Sequence, residues 1–367
     1  AVLTKGPIGL LLPGFIIALY LVITKDFAIF RRPAVLIGSA IVFGLIAKPW
    51  YLTMLKLHGK VFIDEFFGFH NVIRFLTPEH KTGSEIYYNI PIILGGFFPW
   101  SVFLPLGLWH FFKNTKHKTQ YAIRNHSLFV LLWFFLIVIF FSISSTKLPT
   151  YIFPCFMSLA LIVGKLWDDF LKRDPDAILK KFMGISFYLL VTVMLLIVVG
   201  IHIFLNMHYP AMAGCVMVSY LFAAFGMTLS FIAFNRKKFA AAFFFIAYSM
   251  AVVLYPVGTM ILPQLEPYET NKPLAKELLK FYKEGEVIGC EKDYRAGVAF
   301  YTGQTPVNID YFSTLAKIFD SDKRTWCVAK KRNIADLSSP RADRPRKVIT
   351  VYSDGHKKLL ITNKALR

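Results

Sequence analysis

Charge is scarce in this chain of 367 residues, and negative charge scarcer still. Asp, Glu, Lys and Arg together supply 17% of it, with only 22 acidic residues against 42 basic ones, whereas an ordinary soluble domain carries about 25% charged residues. So few ions cannot cover the surface of a water-soluble protein of this size. Cysteine is also sparse: Cys155, Cys215, Cys290 and Cys327 show no CxxC or CxxH spacing, which removes a cysteine-based metal site. No Walker loop, Rossmann glycine fingerprint, GxSxG elbow or HExxH motif occurs, so nucleotide-driven transport, dinucleotide redox chemistry, serine hydrolysis and zincin proteolysis have no sequence support. The opening AVLTKGPIGL has neither an initiator Met nor a basic leader ahead of a short apolar stretch, and reads as the middle of a larger membrane protein.

Apolar residues fill the space left by charge. Hydrophobic residues reach 56%, phenylalanine alone numbers 37, and the mean hydropathy is +0.52. Lipid has to cover side chains that a single core could not hide. Apolar runs at 6–24, 34–56, 91–112, 127–146, 149–171, 183–206, 213–234 and 239–263 are each long enough for a tilted spanning helix, which predicts an all-α multispan bundle of about eight spans over 1–263. After Pro263 the composition shifts to charges and turns. A helical stretch at 273–283 and β-rich runs at 286–289, 297–301 and 347–352 predict a small α/β domain over 264–367.

Formal charge of +20 would suit a nucleic-acid partner, but its distribution argues otherwise. Lys25, Arg31 and Arg32 follow the first run, and Lys113, Lys116, Lys118 and Arg124 the third. Lys165, Lys172, Arg173, Lys180 and Lys181 surround the gap after the fifth, and Arg236, Lys237 and Lys238 follow the seventh. Every second loop is basic, so by the positive-inside rule these face the cytoplasm. The segment 57–90, the turn at Lys147, residues 207–212 and the C-terminal domain then face the other side. Cys290 and Cys327 both fall in that domain, where an oxidising compartment would permit a disulfide if they lie close.

Chemistry concentrates on the external side. The loop HGKVFIDEFFGFHNVIRFLTPEHKTGSEIYYN, residues 58–89, is too long for a turn between spans. Phe62, Phe66, Phe67 and Phe69 predict an amphipathic helix in the membrane interface, on which His70 and Arg74 share one face. Arg74 there can meet a phosphate, or else a lipid head group. Glu79 and His80 are two metal-capable neighbours without a third. In SSTKLPTYIFPC, 144–155, Pro149 is placed to open the next helix, with Lys147 at its mouth and Tyr151 one turn in. Tyr151 can bond a phosphate or sugar, or serve as a belt aromatic. Lys5 stands at the start of the first run. Lys5, Arg74 and Lys147 thus map to one side of the membrane, where snorkelling explains each singly and a shared phosphate explains them jointly.

These residues lie within segments that resemble the polyprenyl-phosphate-sugar transferases of the protein-mannosyltransferase superfamily. The matching pieces are LTKGPIGL (3–10), AKPWY (47–51), FFGFHNVIRF (66–75), YYNIPIILGGFFPW (87–100) and STKLPTYIFPCFMSLALI (145–162). KLPTY in particular is similar to the bacterial aminoarabinose transferases acting on lipid A, proteins linked to polymyxin resistance. The resemblance implies a GT-C-like fold with a periplasmic C-terminal domain in the bacterial inner membrane. It also implies an inverting glycosyltransferase that moves 4-amino-4-deoxy-L-arabinose from undecaprenyl phosphate to lipid A. Residue by residue it implies donor-phosphate binding by Lys5, Arg74 and Lys147, and a place for His70 beside a divalent metal or the acceptor. Tyr87, Tyr88, Tyr151 and His70 would line the cavity. The family's catalytic acidic residue sits in an earlier external loop, upstream of these residues, so the chain reads as N-terminally truncated and its catalytic residue is unassigned. The alternatives are a polyprenyl-phosphate-sugar-dependent enzyme with a protein or glycan acceptor, and a lipid-substrate transporter or flippase without chemistry.

Overall fold

A computed structural model describes residues 2–73, 76–77, 85–117, 121–172, 175–208, 213–309, 320, 323–330, 348–353 and 358–364. The chain divides into two compact units, 1–199 and 200–367. The first unit contains α1 (Val2–Lys5), α2 (Ile8–Thr24), α3 (Pro33–Phe62), α4 (Asn89–Gly96), α5 (Leu104–His117), α6 (Tyr121–Ile143) and α7 (Cys155–Lys172), and α8 (Ala177–His208) runs across the division.

Every apolar run is helical, but fewer than eight helices satisfy the length and composition of a span. Five do so among the described residues, or six if the bent pair Asn89–Gly96 and Trp100–Lys113, broken by 112°, counts as one. The difference has two physical sources. α2 is only 17 residues long. α7 carries Lys165, Asp168, Asp169 and Lys172 in its second half, so only its first half is apolar throughout.

Contacts within the first unit pair the loops as the charge alternation requires. Lys113 Nζ, near the end of α5, lies 3.3 Å from Asp176 Oδ2, joining the C-terminal end of α5 to the loop after α7. The Asp176 carboxyl, which also accepts from Leu179 N at 2.7 Å, is held below its ordinary range by that backbone contact and by Lys113. At the other ends, Ser145 Oγ donates to Leu76 O at 2.9 Å and Thr146 Oγ1 to Thr77 O at 3.0 Å, joining two segments that both lack the basic signature. On the basic side His110 of α5 meets Asp169 of α7, its Nε2 lying 2.9 Å from Asp169 Oδ2, while within α7 Lys165 Nζ lies 2.7 Å from Asp169 Oδ1 and Lys172 Nζ lies 2.6 Å from Asp168 Oδ1.

The second unit contains α9 (Ala213–Asn235), α10 (Phe239–Pro256), α11 (Leu262–Glu269), α12 (Lys272–Phe281) and α13 (Lys292–Thr302). It also holds β1 (Val287–Cys290), β2 (Val307–Asn308), β3 (Thr325–Lys330), β4 (Ile349–Ser353) and β5 (Lys358–Thr362). α9 and α10 approach through small residues, because lipid supplies no hydrophobic drive and close backbone packing has to hold the pair. Ser230 Oγ donates to Ala242 O at 2.8 Å, and a Cβ built on Gly226 would stand 2.2 Å from Ser249 Cβ. Gly226→Ala is therefore expected to force the two helices apart, costing about 1–3 kcal/mol. A thermal melt in detergent reads this; an unchanged melting temperature would show the pair to be loosely packed.

The sheet has the order β2-β1-β3-β5-β4, parallel from β2 to β3 and antiparallel beyond. α13 forms the crossover between parallel β1 and β2, as such a pairing demands. Leu274 and Leu278 of α12, and Tyr294 and Val298 of α13, pack with Ile288, Cys290, Trp326, Val328 and Leu360 on one face of the sheet. Cys327, Ala329, Ile361 and Ile309 pack on the other. Residues 297–301, expected as a strand, belong to α13 instead. Tyr294, Val298 and Thr302 are buried at a spacing of four, so helical burial overrides β propensity, and Gly303 (φ 71°) caps the end.

Cys290 and Cys327 are both free and buried. β1 and β3 pair Gly289 with Cys327 and Cys290 with Val328, so the two cysteines are one residue out of register and project from opposite faces. The disulfide allowed by sequence is not formed. Burial pushes the Cys290 thiol up to about 12 and the Cys327 thiol well above its ordinary value.

Candidate functional site

The helix ends of the first unit opposite the basic loops are assembled from short segments. α1 ends at Lys5, and Gly6 adopts φ 71° to turn the chain into α2. Tyr51 of α3 donates its hydroxyl to Val2 O at 3.0 Å, fixing α1 against α3. This places Lys5 Nζ over the Tyr151 ring, 5.8 Å from its centroid, in a cation–π geometry. Tyr151 in turn lies 5.5 Å from the Phe141 ring near the end of α6. Two residues proposed from sequence, 146 positions apart, therefore meet.

Lys147 is 8% exposed, which is unusual for a lysine. The turn that carries it is built by a run of hydroxyls. Ser144 Oγ donates to Thr146 O at 3.0 Å, while Ser145 and Thr146 reach across to Leu76 and Thr77. The stretch Ser142-Ile-Ser-Ser-Thr-Lys147 thus docks the segment that follows Arg74 onto the base of the turn. Ser142 Oγ also accepts from Asn89 Nδ2 at 3.1 Å, and Asn89 is 1% exposed at the start of α4. Neither the hydroxyl run nor Asn89 stood out in the sequence as functional. Four hydroxyls in five residues at the end of an apolar helix were the available signal.

Pro149 opens a single 3-10 turn, Pro149–Ile152, and the longer helix begins only at Cys155. The amides of that short turn, not those of a long helix, therefore lie nearest Lys147. Tyr87 is 63% exposed and Tyr88 half-buried. Arg74 lies outside the described residues, as do Glu79 and His80. The backbone of His70 belongs to a π-helical segment, Ile63–Ile73. Among the described residues no group of three or more His, Cys, Asp and Glu side chains is placed to hold a metal, and no step below is routed through one.

The aromatic run expected to lie along the membrane interface has a second role. Gly59, at φ 52° and ψ −128°, breaks the helical path inside Pro33–Phe62. Trp50 and Tyr51 then face Phe62, Phe66 and Phe67, with ring centroids 5.8 Å apart for Trp50–Phe66 and 6.1 Å for Tyr51–Phe67. Phe62 and Phe66 stack at 5.1 Å. A side chain at position 59 would be strained in this conformation, so glycine allows the five-ring cluster to close beside the Tyr51 anchor of α1.

No family model matches the chain. It is similar to the undecaprenyl phosphate-α-4-amino-4-deoxy-L-arabinose arabinosyl transferase 1 of Proteus mirabilis, 31% identical over 180 residues, which is 49% of this chain and 30% of that protein. The corresponding transferase 1 of Pseudomonas fluorescens is 34% identical over 187 residues, 50% of this chain and 31% of that protein. The Serratia proteamaculans transferase is 27% identical over 225 residues, 57% and 37% of the two chains. The matched region thus spans about a third of these relatives' own length. Among solved structures, ArnT from Cupriavidus metallidurans bound to undecaprenyl phosphate superposes with a TM-score of 0.68 at 20% identity, covering 99% of this chain and 67% of that one. Its apo form gives 0.70, covering 99% and 66%. With its helical membrane region and small C-terminal sheet, the chain is a multi-pass membrane protein that shares the fold of ArnT, and about half of it is similar in sequence to part of these arabinosyl transferases.

Proposed function

We propose that this chain carries out, within its complete protein, the transfer of 4-amino-4-deoxy-L-arabinose from undecaprenyl phosphate to lipid A. The reaction takes place at the periplasmic face of the bacterial inner membrane. The observation that carries the reading is the meeting of Lys5 and Tyr151 beside the turn of buried Lys147, in a chain whose relatives are named for this donor and sugar. In this reading Lys5, Arg74 and Lys147 hold the donor phosphate, and His70, Tyr87, Tyr88 and Tyr151 line the sugar and acceptor cavity. Residues 264–367 form a periplasmic module.

The chemistry is a direct displacement with inversion. An acceptor oxygen of lipid A attacks the anomeric carbon, its proton passes to a carboxylate base, and the bond from that carbon to the phosphate oxygen breaks. Undecaprenyl phosphate departs with the bonding electrons. Cations already in place stabilise the charge that the departing phosphate gains, and a low-dielectric membrane edge strengthens them.

The test is reconstitution of the full-length protein in proteoliposomes with undecaprenyl-phosphate-linked aminoarabinose and lipid A, followed by the mass of the lipid A product. Addition of one aminoarabinose is the expected result. Transfer to a protein or glycan but not to lipid A would reassign the acceptor. Movement of the donor across the bilayer with no new glycosidic bond would replace the transferase with a flippase.

A further inference from the structure

Asn89 opens α4 and is 1% exposed, a depth at which a side-chain amide has to find a partner. Its Nδ2 donates to Ser142 Oγ of α6 at 3.1 Å, across 53 residues of sequence. Tyr88, which precedes α4, makes no side-chain capping bond, so the side-chain contact that secures this end of an eight-residue helix comes from α6. The bond joins two groups of residues. On one side, Tyr87 and Tyr88 ride on the turn leading into α4, where Tyr88 N donates to Glu85 O at 3.0 Å and Ile90 N to Tyr87 O at 2.9 Å. On the other, Phe141 adjoins Ser142 and places its ring 5.5 Å from that of Tyr151, while Ser144 closes the turn that carries Lys147. α4 itself packs on the Pro149–Ile152 turn and on α6. Its far end has little slack, since a Cβ built on Gly96 would stand 3.0 Å from the Phe156 ring of α7.

We propose that, in the transfer reaction put forward for this chain, Asn89 is a positioning residue: by bonding Ser142 it sets the spacing between the Tyr87–Tyr88 wall of the cavity and the wall formed by Lys147 and Tyr151. At 1% exposed it does not itself face the cavity, so its effect passes through the residues it holds. The end of α6 is their common reference. Tyr151 packs on Phe141, α4 is fixed through Ser142, and the Lys147 turn follows from Ser144. Removing both partners of one neutral hydrogen bond costs folding little, whereas displacing a cavity wall by about 1 Å costs a reaction up to about 10²-fold in rate. Rate and stability therefore separate.

Full-length protein in proteoliposomes provides the test, with Asn89→Leu, Ser142→Ala, the two combined, and Ser142→Thr, which keeps the hydroxyl. The readouts are the single-turnover rate of aminoarabinose transfer to lipid A at saturating donor, the binding of undecaprenyl phosphate, and melting in detergent. Each single loss of the bond is expected to slow transfer about tenfold or more, with undecaprenyl phosphate binding changed by about threefold at most. The combined variant should melt close to wild type and yet transfer no faster than Asn89→Leu, because the two side chains act as one unit. Ser142→Thr should keep most of the rate. Wild-type rates in Asn89→Leu and Ser142→Ala overturn the proposal, as do losses that multiply in the combined variant. Rates that rise and fall with melting temperature across the set reduce the bond to a structural contact and overturn it as well. Should Asn89→Leu fail to fold, Ser142→Ala and Ser142→Thr, at a half-buried position, decide the matter. If the wild-type protein binds undecaprenyl phosphate but transfers no sugar, the transferase reading falls and the positioning role falls with it. If it transfers and the variants match it, the positioning role alone falls.

Discussion

Lys147→Met is expected to lower the rate of the proposed aminoarabinose transfer by about 10²–10³-fold, the loss typical when one preorganised group that stabilises developing negative charge is removed. Methionine keeps the length and apolar stem of the side chain, so the turn retains its packing. Three contacts that do not involve Lys147 also hold that turn: Ser144 to Thr146, Ser145 to Leu76, and Thr146 to Thr77. Melting should therefore fall little while transfer falls steeply, and Lys147→Arg should restore part of the rate. Single-turnover transfer with saturating donor separates the chemical step from donor binding. If the Met variant transfers at the wild-type rate, the phosphate lies elsewhere and the role proposed for Lys147 fails.

Asp169→Leu should have the largest effect on stability, about 3 kcal/mol or more. Asp169 is 4% exposed and stands between His110, at 2.9 Å, and Lys165, at 2.7 Å. Removing the carboxylate leaves cationic and imidazole groups of α5 and α7 facing one another without their shared acceptor. Lys165 retains Asp168 at 3.3 Å and is partly exposed, which moderates the loss. Adding Lys165→Met to Asp169→Leu should recover some stability, since the cost arises from an orphaned charge more than from a lost attraction. Apparent melting temperatures of the single and double variants in detergent decide this. Additive losses would mean that the two side chains act independently.

Much of the membrane region is legible in the sequence because lipid imposes one rule on every lipid-facing residue. The eight apolar runs are all helical, and loop charge pairs them by side in the way that Lys113–Asp176 and Thr146–Thr77 show. The sheet is less legible. Strand 325–330 has the burial pattern of a fully enclosed strand and no alternation to mark it, while 297–301 reads as β by composition and is helical by its burial spacing. At the site, the residue types that bind anions are readable one by one, but their meeting is not. Lys5 reaches Tyr151 from an α1 that Tyr51 of another helix holds in place, and Lys147 sits in a turn anchored by hydroxyls whose partners lie 69 residues away. Long-range hydrogen bonds of this kind leave no local period to detect.

The placement of Cys290 and Cys327 bears on where such a module can work. With one thiol sealed on each side of the sheet, and both kept protonated by their surroundings, neither can reach its neighbour or present a reactive anion to an oxidant. The folded module thus keeps its two thiols apart and out of reach of each other, and its core closes without a cross-link.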